Sequence, residues 1–177
     1  MPKASRRLVI DASVARSSGR EDATYPISKH CRDFLMATLT ICHRVVMTPD
    51  IMEEWHHHRS GFARTWLASM MARKKCAFVE LPRDDNLRSK IERAAIGEQD
   101  RAAMLKDSHL IEAAMTTDQI VVSLDEAARG LFAQASQSVG ELKSVTWVNP
   151  DRLDEQPIRW LENGAKSEKN RLLGSGM

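Results

Sequence analysis

Leu8-Val9-Ile10-Asp11 and, far later in the chain, Ile120-Val121-Val122-Ser123-Leu124-Asp125 are two short apolar runs that each close on an aspartate. Continuous apolar runs of this length read as strands buried on both faces. Between and after them the period changes. Residues 27–43 carry apolar side chains at helical spacing, with Ser28 as a candidate N-cap. Val45-Val46-Met47 follows as a short strand, and Thr48-Pro49-Asp50 has the order of a helix start: a capping hydroxyl, proline at the first helical position, then an acid. Helices are expected at 64–75, 86–95 (ending near Gly97), 99–116 and 126–135. An edge strand or extended stretch is expected at 77–81, and a last strand at 144–148. Residues 17–26 read as a loop punctuated by Gly19 and Pro26. Strands alternating with helices imply a mainly parallel sheet with helices on both faces. Ligands gather beyond the carboxyl ends of such strands, which is where Asp11 and Asp125 fall.

The chain has 177 residues, 42% of them apolar and 28% charged, enough for one domain with its own core. Net charge is only +2, so a nucleic-acid partner cannot be argued from the total. Cys31, Cys42 and Cys76 form no CxxC pair. Cys31 and Cys42 are spaced to share a buried helix face, a reduced, cytoplasmic pattern. No apolar stretch approaches the roughly 20 residues of a membrane span, and no signal peptide is legible. The domain is expected to occupy residues 1–150. Residues 151–177 read as an extension, with a helical piece around Ile158-Arg159-Trp160-Leu161 and a loose Gly/Ser-rich end from Ala165 onward.

Two further acids, Glu54 and Asp107, lie on expected helices. Four carboxylates, Asp11, Glu54, Asp107 and Asp125, gathered near strand ends are the inventory that a hard cation such as Mg²⁺ or Mn²⁺ requires, because these ions prefer oxygen ligands. The chemistry this suggests is metal-assisted phosphoryl transfer with water as nucleophile. Asp100, Glu112 and Asp118 read instead as surface or turn residues.

The order and setting of four segments resemble the PIN-domain ribonucleases: Asp11-Ala12-Ser13-Val14 after a strand; Thr48-Pro49-Asp50-Ile51-Met52-Glu53-Glu54-Trp55; Lys106-Asp107-Ser108-His109-Leu110; and Val121-Val122-Ser123-Leu124-Asp125-Glu126. The likeness spans about residues 7–150. It implies a three-layer α/β fold and a Mg²⁺- or Mn²⁺-dependent endoribonuclease. Asp11, Glu54, Asp107 and Asp125 would then be catalytic metal ligands, with Ser13 and Ser123 as their polar neighbours. Many stand-alone members of the family are toxins, as in the VapC group, so the resemblance also implies an RNA substrate and an antitoxin or other regulatory protein. A homodimer is a further expectation. The chain departs from the compact family pattern in its longer stretch between Glu54 and Asp107 and in its C-terminal extension.

Residues 56–75 hold five basic side chains, Arg59, Arg64, Arg73, Lys74 and Lys75, and no acid, with Phe62 and Trp66 between them. Two readings stand: an RNA-contacting arm using Arg59, Arg64, Lys74 and Lys75, or an amphipathic helix with its Trp66 in the core. His56-His57-His58 cannot converge on one ion from a single helix. A non-catalytic module that binds RNA or protein is the alternative to the enzyme. A haloacid-dehalogenase type of phosphohydrolase would need a second aspartate at position 13, which is serine.

Overall fold

The computed structural model describes residues 4–19, 25–80 and 83–175. The middle of the 17–26 loop, the Leu81 end of the expected edge strand, and the residues at either terminus lie outside that range. Five strands form one sheet: β1 (Arg7–Ile10), β2 (Arg44–Met47), β3 (Cys76–Phe78), β4 (Ile120–Val122) and β5 (Thr146–Val148). All pairings are parallel, in the order β3-β2-β1-β4-β5. Helices flank the sheet: α1 (Ala12–Ser17), α2 (Ile27–Thr40), α3 (Pro49–His58), α4 (Gly61–Ala72), α5 (Asp85–Ala94), α6 (Glu98–Met115), α7 (Glu126–Ala135) and α8 (Pro157–Glu162). This is a three-layer α/β arrangement.

The central strands are apolar because helices cover both of their faces. Leu8, Val9 and Ile10 are fully buried, as are Val45, Val46, Val121 and Val122. Three tryptophans anchor the layers while keeping their indole N–H groups bonded. Trp55 donates to the Ile10 carbonyl (2.9 Å) and Trp66 to the Leu35 carbonyl (2.6 Å), and the two rings stack 5.7 Å apart. Trp160 donates to the Lys166 carbonyl (2.8 Å) under the Arg171 guanidinium.

Helix ends account for most departures from the sequence reading. Pro26, not Ser28, holds the N-cap position of α2, and Ser28 is buried. α2 stops at Thr40, short of the expected His43, so Cys31 is buried on the helix while Cys42 is exposed beyond it. The stop is built by Lys75, whose ammonium donates to the carbonyls of Thr38 (3.0 Å), Leu39 (2.6 Å) and Ile41. α4 begins earlier than expected, because the Ser60 hydroxyl caps the Ala63 N–H at 3.1 Å. It ends where Lys74 takes a left-handed conformation (φ 56°) to turn the chain into β3. Gly97, at φ +89°, separates α5 from α6 in a conformation that suits glycine alone. α1 directly after Asp11 is an element the sequence reading did not separate. Among the described residues, no helix is long and apolar enough to cross a membrane.

The residues after Pro150 belong to the same core rather than to a loose extension. Trp160, Leu161, Ala165 and Leu173 are buried with the strands. The Leu161 carbonyl meets Nε2 of the buried His43 at 2.8 Å. Leu172 bridges Thr146 antiparallel, and the Leu173 N–H donates to the Val145 carbonyl (2.9 Å), so the tail lies along the β5 edge. The Gly/Ser composition that reads as flexibility reflects close approach: a Cβ on Gly174 would fall 2.6 Å from Cβ of Lys143.

Two stability outcomes follow from these contacts. Gly174→Ala should destabilise the protein by about 1–3 kcal/mol through that clash. Lys75→Met should cost a similar ~1–3 kcal/mol by leaving the α2 carbonyls without their charged donor, whereas Lys74→Ala should stay within about 0.5 kcal/mol. Urea denaturation of the three variants measures both. Equal stability of Lys75→Met and wild type would show that the ammonium does not cap α2.

Candidate active site

The strand order reverses at β1: the chain runs outward through β2 and β3 on one side, then returns to β4 and β5 on the other. The carboxyl ends of β1 and β4 therefore flank a topological switch point, the usual ligand crevice of a parallel sheet. Asp11 leaves β1 there and Asp125 follows β4. The two ends are tied together, since the Asp11 N–H donates to the Val122 carbonyl at 2.8 Å.

Asp11 is held from both sides. The hydroxyls of Ser13 (2.7 Å) and Ser123 (2.9 Å) donate to the same carboxylate oxygen, Oδ2. Each serine oxygen in turn accepts a backbone N–H from the β4–α7 turn, Leu124 to Ser13 (3.3 Å) and Asp125 to Ser123 (3.1 Å). Those accepted bonds orient the hydroxyl protons toward Asp11 and leave Oδ1 outside this bonding. Asp125 also performs the helix-capping role its position suggests, accepting from Ala128 N–H at 2.8 Å through Oδ1.

Asp107 reaches the same region from α6, which packs against β1 and β4. Burial pushes its carboxyl up to about 6, and the negative charges of Asp11 and Asp125 push in the same direction. Asp107 thus feels the charge of both strand-end aspartates, a repulsion of the kind that a bound cation relieves. The all-oxygen donor set fits Mg²⁺ or Mn²⁺. Among the described residues, however, no three acidic, histidine or cysteine side chains are disposed as a finished ligand set.

Glu54 is engaged elsewhere. It is the member of the Glu53–Glu54 pair that faces inward from α3, while Glu53 is exposed. Its Oε2 lies 3.2 Å from Nε2 of His109, a residue the sequence reading gave no role. The other ring nitrogen of His109 lies 3.0 Å from the Lys106 carbonyl. A carbonyl and a carboxylate both only accept, so bonding at both nitrogens makes the ring an imidazolium. Accordingly the hydrogen bond from His109 holds the Glu54 carboxyl below its ordinary range; for His109, burial lowers the pKa, but the Glu54 bond and charge, the Lys106 carbonyl and the Asp107 charge together raise it. Spacing carried no signal for this pair: His109 stands two residues after Asp107, on a different face of the helix, and its partner lies on α3.

Glu112 and Asp118 have structural partners. Glu112, expected at the surface, is buried and takes a bidentate contact from Arg88 (Nη2 at 2.5 Å) together with the Asp84 N–H. Asp118 binds Arg7 through side chain and backbone. Asp100 sits in the first turn of α6. Of the basic arm, Arg64 and Lys74 are exposed and Arg59 is half-buried beside His56. Lys75 is occupied with α2, and Trp66 is buried, so its ring packs rather than offering a stacking face. His56, His57 and His58 are all exposed. Neither a protein-family model nor a curated protein matches the chain.

The folded-state pKa of Asp107 stands above its ordinary 3.8. The native protein therefore keeps a proton that the unfolded chain has released, and stability falls as pH rises from about 4 to about 6. Asp107→Asn should raise stability by about 1–3 kcal/mol at pH 8 and change it little at pH 4. Urea titrations at the two pH values measure this, and a gain of equal size at both would rule out the raised carboxyl.

Proposed function

We propose that the protein is a metal-dependent endoribonuclease of PIN type, cutting RNA phosphodiester bonds at the β1–β4 switch point. The observation that carries the reading is that β1 and β4 end on Asp11 and Asp125 at the switch point, where a parallel sheet binds ligands, with Asp107 on the helix packed against both strands. These three would hold Mg²⁺ or Mn²⁺. When bound, the ion supplies water activation near neutral pH and neutralises charge on the phosphoryl oxygens.

The chain's own residues do the positioning. Ser13 and Ser123 fix Asp11 through one oxygen, so its carboxylate is presented in one orientation without reorganisation. The α7 N-terminus fixes Asp125 in the same way. His109 keeps Glu54 ionised and oriented at the margin of the group. Arg64 on α4 and Lys74 in the turn that follows it are both exposed and available to attract a polyanion.

A second reading is a non-catalytic RNA- or protein-binding module. The engagement of Glu54 by His109 and the lack of a finished ligand set among the described residues favour it. One assay separates the two: labelled single-stranded RNA and DNA incubated with Mn²⁺, Mg²⁺ or EDTA. The nuclease reading expects metal-dependent RNA cleavage that drops to background in Asp11→Asn. It also expects a fall of about 10-fold to 100-fold in Ser13→Ala, with circular dichroism unchanged in both. Undiminished cleavage by Asp11→Asn would displace the site. RNA binding with no cleavage under either metal would establish the module.

A further inference from the structure

Two open clefts meet beside the acidic site, and neither contains its carboxylates. The first, about 400 Å³, lies where the start of α3 faces α5 and α6, and its walls include Thr48, Asp50, Arg83, Arg88 and His109. The second, about 330 Å³, continues past Arg83 and Glu112, which line both, to Asp84, Asp85, Leu87, Met115 and Thr116. The link to the acidic site is His109, whose ring forms a wall of the first cleft while its Nε2 holds Glu54.

The two halves differ in chemistry. The first presents cationic donors. Glu112 grips Arg88 through Nε and Nη2, which pins the guanidinium and leaves Nη1 outside that pairing. A guanidinium already ordered by a buried partner loses little freedom on meeting an anion. Arg83 pairs with Asp85 at 2.8 Å, but both side chains are largely exposed and water screens the contact, so Arg83 can turn to a better partner. The second half is more apolar: Leu87 is buried into its floor, Met115 lies at its side, and the Thr116 hydroxyl offers a polar edge. An anionic group next to a flat, mainly apolar group with polar edges is the composition of a nucleotide, and the combined space suits one.

We propose that this paired cleft is a nucleotide subsite, taking a phosphate against Arg83 and Arg88 and a base in the recess of Leu87 and Met115. This deepens the nuclease reading and rests on it for one point only, that the nucleotide belongs to the RNA strand next to the bond being cut. Asp84 is turned to cap the Leu87 N–H and Asp85 is paired with Arg83, whereas Asp50, exposed on the rim, opposes the phosphate and makes the subsite weaker than its arginines alone would. That opposition gives the test two variants of opposite sign, both at exposed positions and outside the acidic site.

The experiment is a titration of ¹⁵N-labelled protein with 5′-UMP in EDTA, followed by amide shifts, with ribose 5-phosphate as the companion probe. Shifts are expected at Asp84, Leu87, Arg88 and His109. Arg83→Ala should weaken UMP binding about threefold to tenfold, Asp50→Asn should tighten it about twofold to fivefold, and ribose 5-phosphate should bind several-fold more weakly for want of the base. The proposal fails if the shifts lie elsewhere or are absent, if both variants bind as wild type does, or if ribose 5-phosphate binds as tightly as UMP. RNA cleavage in Mn²⁺, measured on the same samples, keeps the two readings apart. Cleavage without UMP shifts in the cleft would discard the subsite and keep the nuclease. UMP bound in the cleft without cleavage would keep a nucleotide site and discard the nuclease.

Discussion

One backbone hydrogen bond, from the Asp11 N–H to the Val122 carbonyl at 2.8 Å, joins the end of β1 to the end of β4 and with it the two halves of the chain. The register on either side, Val9 with Val121 and Ile10 with Val122, brings two aspartates to the same edge although the sequence separates them widely. A shift of one residue would turn Asp11 away from Ser123. In that register Leu8, Val9, Ile10, Val121 and Val122 are all buried.

Around that seam the protein concentrates charge and then manages it. Two hydroxyls orient Asp11 and the α7 N-terminus orients Asp125, while Asp107, pushed up to about 6, carries the strain of burial and of its neighbours. Glu54 is neutralised by an imidazolium. A site whose negative charge is only partly compensated from within is one whose energy a cation or a cationic partner lowers.

The tail shows how composition can mislead. Gly174 and Ser175 suggest looseness, yet the chain there runs along β5 and pins itself with Leu173, because only glycine fits against Lys143. Lys75 makes a similar point. In a run of basic residues it reads as a phosphate ligand, but its ammonium serves three carbonyls at the end of α2. Of the two readings open for Trp66, base stacking and core packing, the structure takes the second, with its ring against Trp55.

The local elements were written in the sequence: apolar runs of three or four residues for the central strands, Thr48-Pro49 for the start of α3, and helical periodicity for α6 and α7. So was the placement of Asp11 and Asp125 just beyond the ends of β1 and β4, which follows from strand assignment alone. Other features required the tertiary structure: the all-parallel order with its reversal at β1, the two serines sharing one oxygen of Asp11, the transfer of Glu54 to His109, and the burial of Glu112 against Arg88. Each depends on a partner distant in sequence or on another element, 112 residues away for Ser123 and Asp11 and 55 for His109 and Glu54. Periodicity reports which face of an element is buried; it carries no information about which other element will lie against that face. The fold supplies that pairing by packing whole surfaces, and the hydrogen bonds of the site are set by the result.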